Sequence, residues 1–188
     1  VRFRGQCMQE AVPRGAGGMA AIIGLDDAAV EAACAEAAQG EVVEAVNYNA
    51  PSQVVIAGAA AAVQRAIAAA KARGAKRALP LPVSAPFHSS LMRPAAERMQ
   101  GRLEALALNR PAIRFVSSVD AREYHDPAAI RDLLVRQLAS PVRWTTTVTA
   151  LADGGVTRLV ECGPGKVLAG LNRRIDKRPG LEFLALED

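Results

Sequence analysis

An α/β chain in two parts is predicted by three observations on its 188 residues. From residue 17 to residue 82, β-branched runs and alanine-rich helical stretches follow one another as strand, helix, strand, strand, helix, strand. Beyond residue 88 the rhythm becomes strand–helix alternation with short turns, the pattern of a mostly parallel sheet covered by helices. Hydrophobic residues make up 51% and charged residues 22%, a globular balance in a chain long enough to bury a core.

The elements follow from local signals. Val1 to Val12 is helical in pattern, with no capping residue before it. Met19 to Leu25 is a short apolar strand closing at Gly24, and Asp26-Asp27 opens a helix over Ala28 to Ala38 that Gly40 ends. Glu41 to Asn47 and Gln53 to Ala57 are two β-branched strands with Asn49-Ala50-Pro51-Ser52 in the hairpin-like connection. Ala59 to Arg73 is a second helix stopped by Gly74, and Lys76 to Leu81 is a fourth strand. This order is a split βαβ, so residues 17–82 are expected to form a ferredoxin-like subdomain. Further on, Ser90 to Leu106 is helical and Ile113 to Ser117 is a strand. Pro127 sits in the first turn of a helix that runs to Leu138, and Trp144 to Leu151 is another helix. Thr157 to Glu161 is expected as a buried strand, Lys166 to Ile175 as a helix entered by a glycine turn, and Leu181 to Leu186 as a closing strand.

Composition narrows the partners. The formal net charge is +4, dispersed, with its densest groups at Lys71, Arg73, Lys76 and Arg77 and at Arg173, Arg174, Lys177 and Arg178. Aromatic residues are only 4% and do not interleave with these groups, which argues for solvated helix ends and against nucleic acid. A modest positive surface also suits an acidic protein or a phosphate-bearing ligand. Cys7, Cys34 and Cys162 are odd in number and lack Cys-x-x-Cys spacing, so neither a disulfide framework nor a zinc site is implied, and a reducing cytoplasm is the expected compartment. Cys162 reads as a small buried residue at a strand end. No run approaches the ~20 apolar residues of a membrane span, and no signal peptide opens the chain.

The chemistry concentrates at Ser84-Ala85-Pro86-Phe87-His88-Ser89-Ser90-Leu91-Met92, which holds one of two histidines. It lies between a strand-like run and a helical pattern, where rigid elements present loop residues. An imidazole suits proton transfer near neutrality, and Pro86 stiffens the approach to it. A histidine that merely caps the next helix fits the local sequence equally well. His125, beside Asp126-Pro127, reads as a surface residue.

A set of ordered motifs points further. They are Arg4-Gly5-Gln6-Cys7-Met8-Gln9, Met19 to Leu25, Asn47-Tyr48-Asn49-Ala50-Pro51-Ser52-Gln53 through Gly58, and Pro86-Phe87-His88 through Met92. Val135-Arg136-Gln137-Leu138, Pro141-Val142-Arg143-Trp144 and Gly163-Pro164-Gly165-Lys166-Val167-Leu168 complete it. With these the chain resembles the malonyl-CoA:acyl carrier protein transacylase family along nearly its whole length. The resemblance implies an α/β-hydrolase-like large domain, here partial, into which the ferredoxin-like subdomain is inserted. Residues 1–16 and 83–188 would belong to the large domain. It implies transfer of a malonyl group from malonyl-CoA to the phosphopantetheine thiol of acyl carrier protein, in fatty acid biosynthesis. No metal or redox cofactor, nucleic acid or membrane is implied, and a monomer is expected.

The resemblance also assigns residues. His88 would be the general base, oriented by the backbone carbonyl of Gln137. Arg4 would hold the malonyl carboxylate, since a guanidinium offers a carboxylate two parallel donors. Arg2 and Arg4 lie on different faces of the first helix, so only one can enter a cleft. Phe87 would crowd the acyl α-carbon, a discrimination worth ~1–3 kcal/mol, although a phenylalanine that only packs is the competing reading. Asn47 and Asn49 would face substrate, although turn formation accounts for them as well. Gly163-Pro164-Gly165-Lys166 resembles a phosphate-cradling turn but lacks Walker A spacing, and is read as a tight strand-to-helix turn.

Family members carry the nucleophilic serine in a Gly-His-Ser-Leu-Gly elbow ahead of the Arg4 motif. None of Ser52, Ser84, Ser89, Ser90, Ser117, Ser118 and Ser140 is flanked by the elbow glycines, so the nucleophile is expected from a preceding segment. Two other readings stay open: a truncated module that binds acyl carrier protein or CoA without transfer, and a polyketide-type acyltransferase domain. The short Ala185-Leu186-Glu187-Asp188 ending offers the latter no linker.

Overall fold

The computed structural model describes residues 1–186, so Glu187 and Asp188 of the expected 83–188 part lie outside the described residues. Helix α1 (Arg2–Glu10) leads into strand β1 (Gly17–Ile23), helix α2 (Asp27–Ala38), strands β2 (Val43–Ala50) and β3 (Gln53–Ala59), helix α3 (Ala60–Ala72) and strand β4 (Arg77–Pro80). The four strands form one antiparallel sheet in the order β2-β3-β1-β4. Asp26 caps α2 through a 2.7 Å bond from the Ala29 amide, as its side chain predicts. Alanines at Ala33, Ala37, Ala62, Ala66 and Ala70 let α2 and α3 approach closely, and Val30, Val63, Ile22, Val54 and Ile56 fill the space between helices and sheet. Burying Ile22 and Ile56 contributes about 1.5–3 kcal/mol each.

The other face of the sheet carries a smaller cluster, Met19, Val46, Val55 and Ala57, with Leu81 and Phe87 packed against it. Its outer strand β4 is short. Leu81 continues it by donating its amide to Met19 O at 2.9 Å, with prolines 80 and 82 on either side. At the opposite edge β2 is extended by a bridge to Val142, whose amide donates to Val46 O at 2.8 Å and whose carbonyl accepts from Tyr48 at 2.9 Å. The hairpin is tighter than its sequence suggested: β2 runs to Ala50, leaving Pro51 and Ser52 as the turn, with Ser52 at φ +58°. Pro51 sets the turn's φ, and the strands then pair up to it.

Beyond residue 88, a 3-10 turn (Ser90–Met92) precedes α4 (Arg93–Glu104), and α5 (Pro127–Arg136) runs into a second 3-10 turn (Gln137–Ala139). Helix α4 packs on α1 and α5, burying Cys7, Met8, Met92, Met99, Leu103 and Leu138 in a core of its own. Helices α6 (Trp144–Asp153) and α7 (Val167–Ile175) follow, and β7 (Arg158–Glu161) pairs parallel with β8 (Glu182–Ala185).

The mostly parallel sheet expected here is, among the described residues, this one pair. The predicted strand at Ile113 shrinks to β5 (Phe115–Val116), paired antiparallel with an unforeseen β6 (Glu123–Tyr124). Ile113 is 83% exposed, because no neighbouring strand lies against it. Strand β7 is only half-covered, with Val160 exposed, and Cys162 is exposed instead of buried; the parallel pair has no third described strand to cover it. Among the described residues no helix is long and apolar enough to cross a membrane.

Candidate active site

His88 stands in the loop between β4 and the first 3-10 turn, at φ +65°. A non-glycine residue in this region costs about 1–2 kcal/mol and persists only where its surroundings hold it. Pro86 is buried against Gly17 of β1, so closely that a Cβ on Gly17 would fall 2.4 Å from the Pro86 ring. Ser89, fully buried, donates its hydroxyl to Pro86 O at 2.7 Å. On the ring side, His88 Nδ1 lies 3.1 Å from Gln137 O. A carbonyl only accepts, so Nδ1 carries the proton and Nε2 keeps the lone pair of a base. The Gln137 amide turns back to Leu134 O at 3.3 Å, leaving the backbone as this residue's contact with the imidazole. Burial holds His88 below its ordinary pKa; backbone hydrogen bonding from Gln137 and Ser140 opposes this, and the Arg4 charge adds to it.

His88 opens on a cleft of about 490 Å³. Met8, Met19, Val55, Leu81 and Val83 make apolar walls, and Phe87 lies beside the histidine. Arg4 and Gly5 of α1 line one side, Asn47 and Asn49 of β2 another. A register shift between Ala45 and Asn47 marks a bulge that turns Val46 and Asn47 to the same face of the sheet. Asn49, two residues on, shares that face, while Tyr48 points to the helix side and donates to Glu31 at 2.5 Å. Arg2 is exposed, whereas Arg4 is half-buried and has no acidic partner among the described residues. Burial lowers its guanidinium from the ordinary value. A half-buried cation without a counter-ion leaves donors open where Arg4 lines the cleft.

Thus His88, Arg4, Phe87, Asn47 and Asn49 converge on one cleft, with Gln137 behind the histidine. The apolar walls were not anticipated, nor were two polar contacts to the His88 loop: Ser84 donates to Gln9 at 2.6 Å, and Ser90 bonds Glu44. His125 is exposed beside Glu123. Past the Gly163 turn, Glu161 Oε2 accepts from the Ala169 amide at 2.9 Å in the first turn of α7, so a carboxylate of this chain occupies that amide. Arg73 pairs with Glu36, and Arg178 with Asp153 and Asp176, as solvated helix ends would.

The fold and cleft define a class: a mixed α/β domain that can set an anionic ligand beside a neutral base. The chain belongs to the acyl transferase domain family, whose family model matches residues 1–177. It is 57% identical over 175 residues to the malonyl CoA-acyl carrier protein transacylase of Salmonella typhimurium, covering 93% of this chain and 57% of that protein. The Bacillus subtilis protein of the same name is 43% identical over 189 residues, covering 100% of this chain and 59% of its own length. The chain therefore spans less than two thirds of these curated relatives. Among solved structures, the acyl-carrier-protein S-malonyltransferase of Burkholderia pseudomallei superposes with a TM-score of 0.95 at 57% identity, over 100% of this chain and 60% of that one. A malonyl-transacylase in complex with a type II polyketide acyl-carrier protein superposes at 0.92 with 50% identity, over 98% and 59%.

Proposed function

We propose that this chain supplies the base and the carboxylate clamp of an enzyme that moves a malonyl group from malonyl-CoA to the phosphopantetheine thiol of acyl carrier protein, in fatty acid biosynthesis. The observation that carries the reading is the pairing of two features in one cleft: an imidazole whose Nδ1 is engaged by the Gln137 carbonyl, and an uncompensated, half-buried Arg4. The nucleophile is a serine outside these residues. Its hydroxyl attacks the thioester carbonyl while His88 Nε2 takes the proton. The carbon–sulfur bond then breaks, and the proton passes from His88 to the departing CoA sulfur. The carrier thiol then gives its proton to His88 as its sulfur attacks the malonyl–serine carbonyl; the carbon–oxygen bond to serine breaks, and His88 returns the proton to the serine oxygen. Arg4 holds the malonyl carboxylate through both steps, Asn47 and Asn49 border the acyl group, and Phe87 limits bulk at its α-carbon.

In this reading residues 17–82 are a ferredoxin-like subdomain inserted in an α/β-hydrolase-like domain to which 1–16 and 83–188 belong. The antiparallel order β2-β3-β1-β4 with two helices on one face supports that division. A monomer in the cytoplasm, acting without a cofactor, goes with it. The test is intact-mass spectrometry of the full-length protein after brief exposure to malonyl-CoA. A malonyl adduct on a serine, discharged by adding carrier protein, is expected; a species that never acquires it overturns the reading and favours a module that binds without transfer. Similarity to the polyketide-associated transacylase favours a second carrier, and comparing discharge rates with the two carrier types separates them.

A further inference from the structure

The loop bearing His88 is fastened to the four-stranded sheet by one carboxylate. Glu44 of β2 accepts the Ser90 amide through Oε2 at 2.7 Å and the Ser90 hydroxyl through Oε1 at 2.8 Å. Val43 and Ala45 on either side belong to the core beneath α2 and α3, so strand alternation puts Glu44 on the opposite face, with Val46. Glu44 is half-buried and pairs with no lysine or arginine among the described residues; these two donors, two residues beyond His88, are the hydrogen bonds it makes there. Such a carboxylate forms charge-assisted bonds, the strongest available to a loop of this length. The loop needs them. His88 is left-handed, and within the loop the turn is closed on Pro86 O by the Ser89 hydroxyl at 2.7 Å and, more weakly, by the Ser89 amide at 3.4 Å, neither of which ties it to the sheet.

Beside the Ser84–Gln9 bond at the start of the loop, three holds from other elements meet at residues 86–90: Gly17 against Pro86, Glu44 on Ser90, and the Gln137 carbonyl on the His88 ring. The first is a contact of shape, and the third acts on the side chain after the backbone has set its direction. Glu44 ties the backbone just past the histidine to the sheet by hydrogen bonds. We propose that Glu44 is a positioning residue for His88: by fixing Ser90 it keeps the histidine backbone left-handed and Nδ1 within reach of the Gln137 carbonyl, so that Nε2 is the unprotonated nitrogen. The catalytic consequence rests on the acyl-transfer reading; the geometric claim does not.

The experiment compares wild type, Glu44→Ala and Glu44→Gln in the full-length protein, labelled with 15N-histidine. In wild type the His88 nitrogens report the Nδ1–H tautomer. In Glu44→Ala they are expected to move to a mixture of tautomers while His125 stays unchanged. Glu44→Gln, whose amide still offers an oxygen to the Ser90 amide and an N–H to its hydroxyl, is expected to keep the wild-type signals. In parallel, Glu44→Ala should lower kcat for malonyl transfer tenfold or more with KM for malonyl-CoA changed less than twofold, and Glu44→Gln should restore kcat to within threefold of wild type. A purely structural role would lower stability without moving the tautomer. Wild-type His88 signals and kcat in Glu44→Ala, or a Glu44→Gln as impaired as Glu44→Ala, overturns the proposal. If Glu44→Ala does not fold, Ser90→Ala decides: a smaller tautomer shift in the same direction supports the proposal, and none overturns it. Should wild type transfer no malonyl group, the acyl-transfer reading fails, while the nitrogen signals still test the positioning.

Discussion

Replacing Arg4 by methionine separates the carboxylate clamp from every other role of α1. The guanidinium is half-buried, lines the cleft and has no acidic partner among the described residues, so its removal breaks no internal ion pair. Two charge-assisted bonds at about 1.5 kcal/mol each, the lower end for a cleft open to water, give about 3 kcal/mol and hence about a 150-fold loss in kcat/KM. That loss should fall on malonyl-CoA alone. Acetyl-CoA has the same thioester without the carboxylate, and whatever rate wild type shows with it should change less than threefold. Folding stability should hold or rise, since an uncompensated cation leaves a half-buried site. The assay is acylation by rapid-mix kinetics with each thioester, beside a thermal melt. Arg4→Lys should recover little, because an ammonium cannot form the paired contact. Equal losses with both thioesters, or a malonyl loss below fivefold, would refute the assignment.

Four other outcomes are expected. Gly17→Ala sets a Cβ 2.4 Å from the Pro86 ring, so urea unfolding should show a loss of about 1–3 kcal/mol, with turnover falling further as the His88 loop shifts. The acid limb of kcat/KM against pH should have its midpoint below the ordinary histidine value of 6.5, and Arg4→Met, by removing a charge that lowers His88, should move it upward. The same depressed pKa makes the unfolded chain bind the His88 proton first, so the group's contribution to stability is present above pH 6.5 and is lost as pH falls through the folded value. Thiol labelling with peptide mapping should find Cys162 modified in the native protein. Cys7 and Cys34 should be modified only after denaturation, since both are buried and burial with Glu31 and Glu44 pushes the Cys34 thiol up to about 12.

What was legible in the sequence is what local chemistry writes. The run from β1 to β4 announces itself because Asp26, Gly40 and Gly74 punctuate it and its strands β2 and β3 carry β-branched residues. Strands β5 and β6 carry two residues each, too few for a period to show, and the exposure of Val160 and Cys162 depends on which strands lie beside β7. His88 could be raised as a candidate from its junction, with a capping histidine equally open until the resemblance chose between them, whereas Arg4 needed its motif throughout. Gln137 acts through a carbonyl that every residue possesses, so its side chain gives no signal; only the resemblance pointed to it. Glu44 meets Ser90 across 46 positions of chain, and a lone acid in a strand reads as solvated until that partner is seen.

The prolines beside Leu81 have a consequence for how this protein behaves in a crowd. Leu81 turns its amide inward to Met19, so by strand alternation the amides of residues 80 and 82 would point outward, where proline has none to offer. The far side of the sheet is likewise occupied, by Val142 on β2. Another molecule seeking to add a strand finds no outward donors at residues 80 and 82 and an occupied partner on the other side. Over residues 80–82 of one edge and 46–48 of the other, the sheet is thereby shielded from the edge-to-edge capture that seeds aggregation and fibre growth, at the cost of two backbone donors and no side-chain charge.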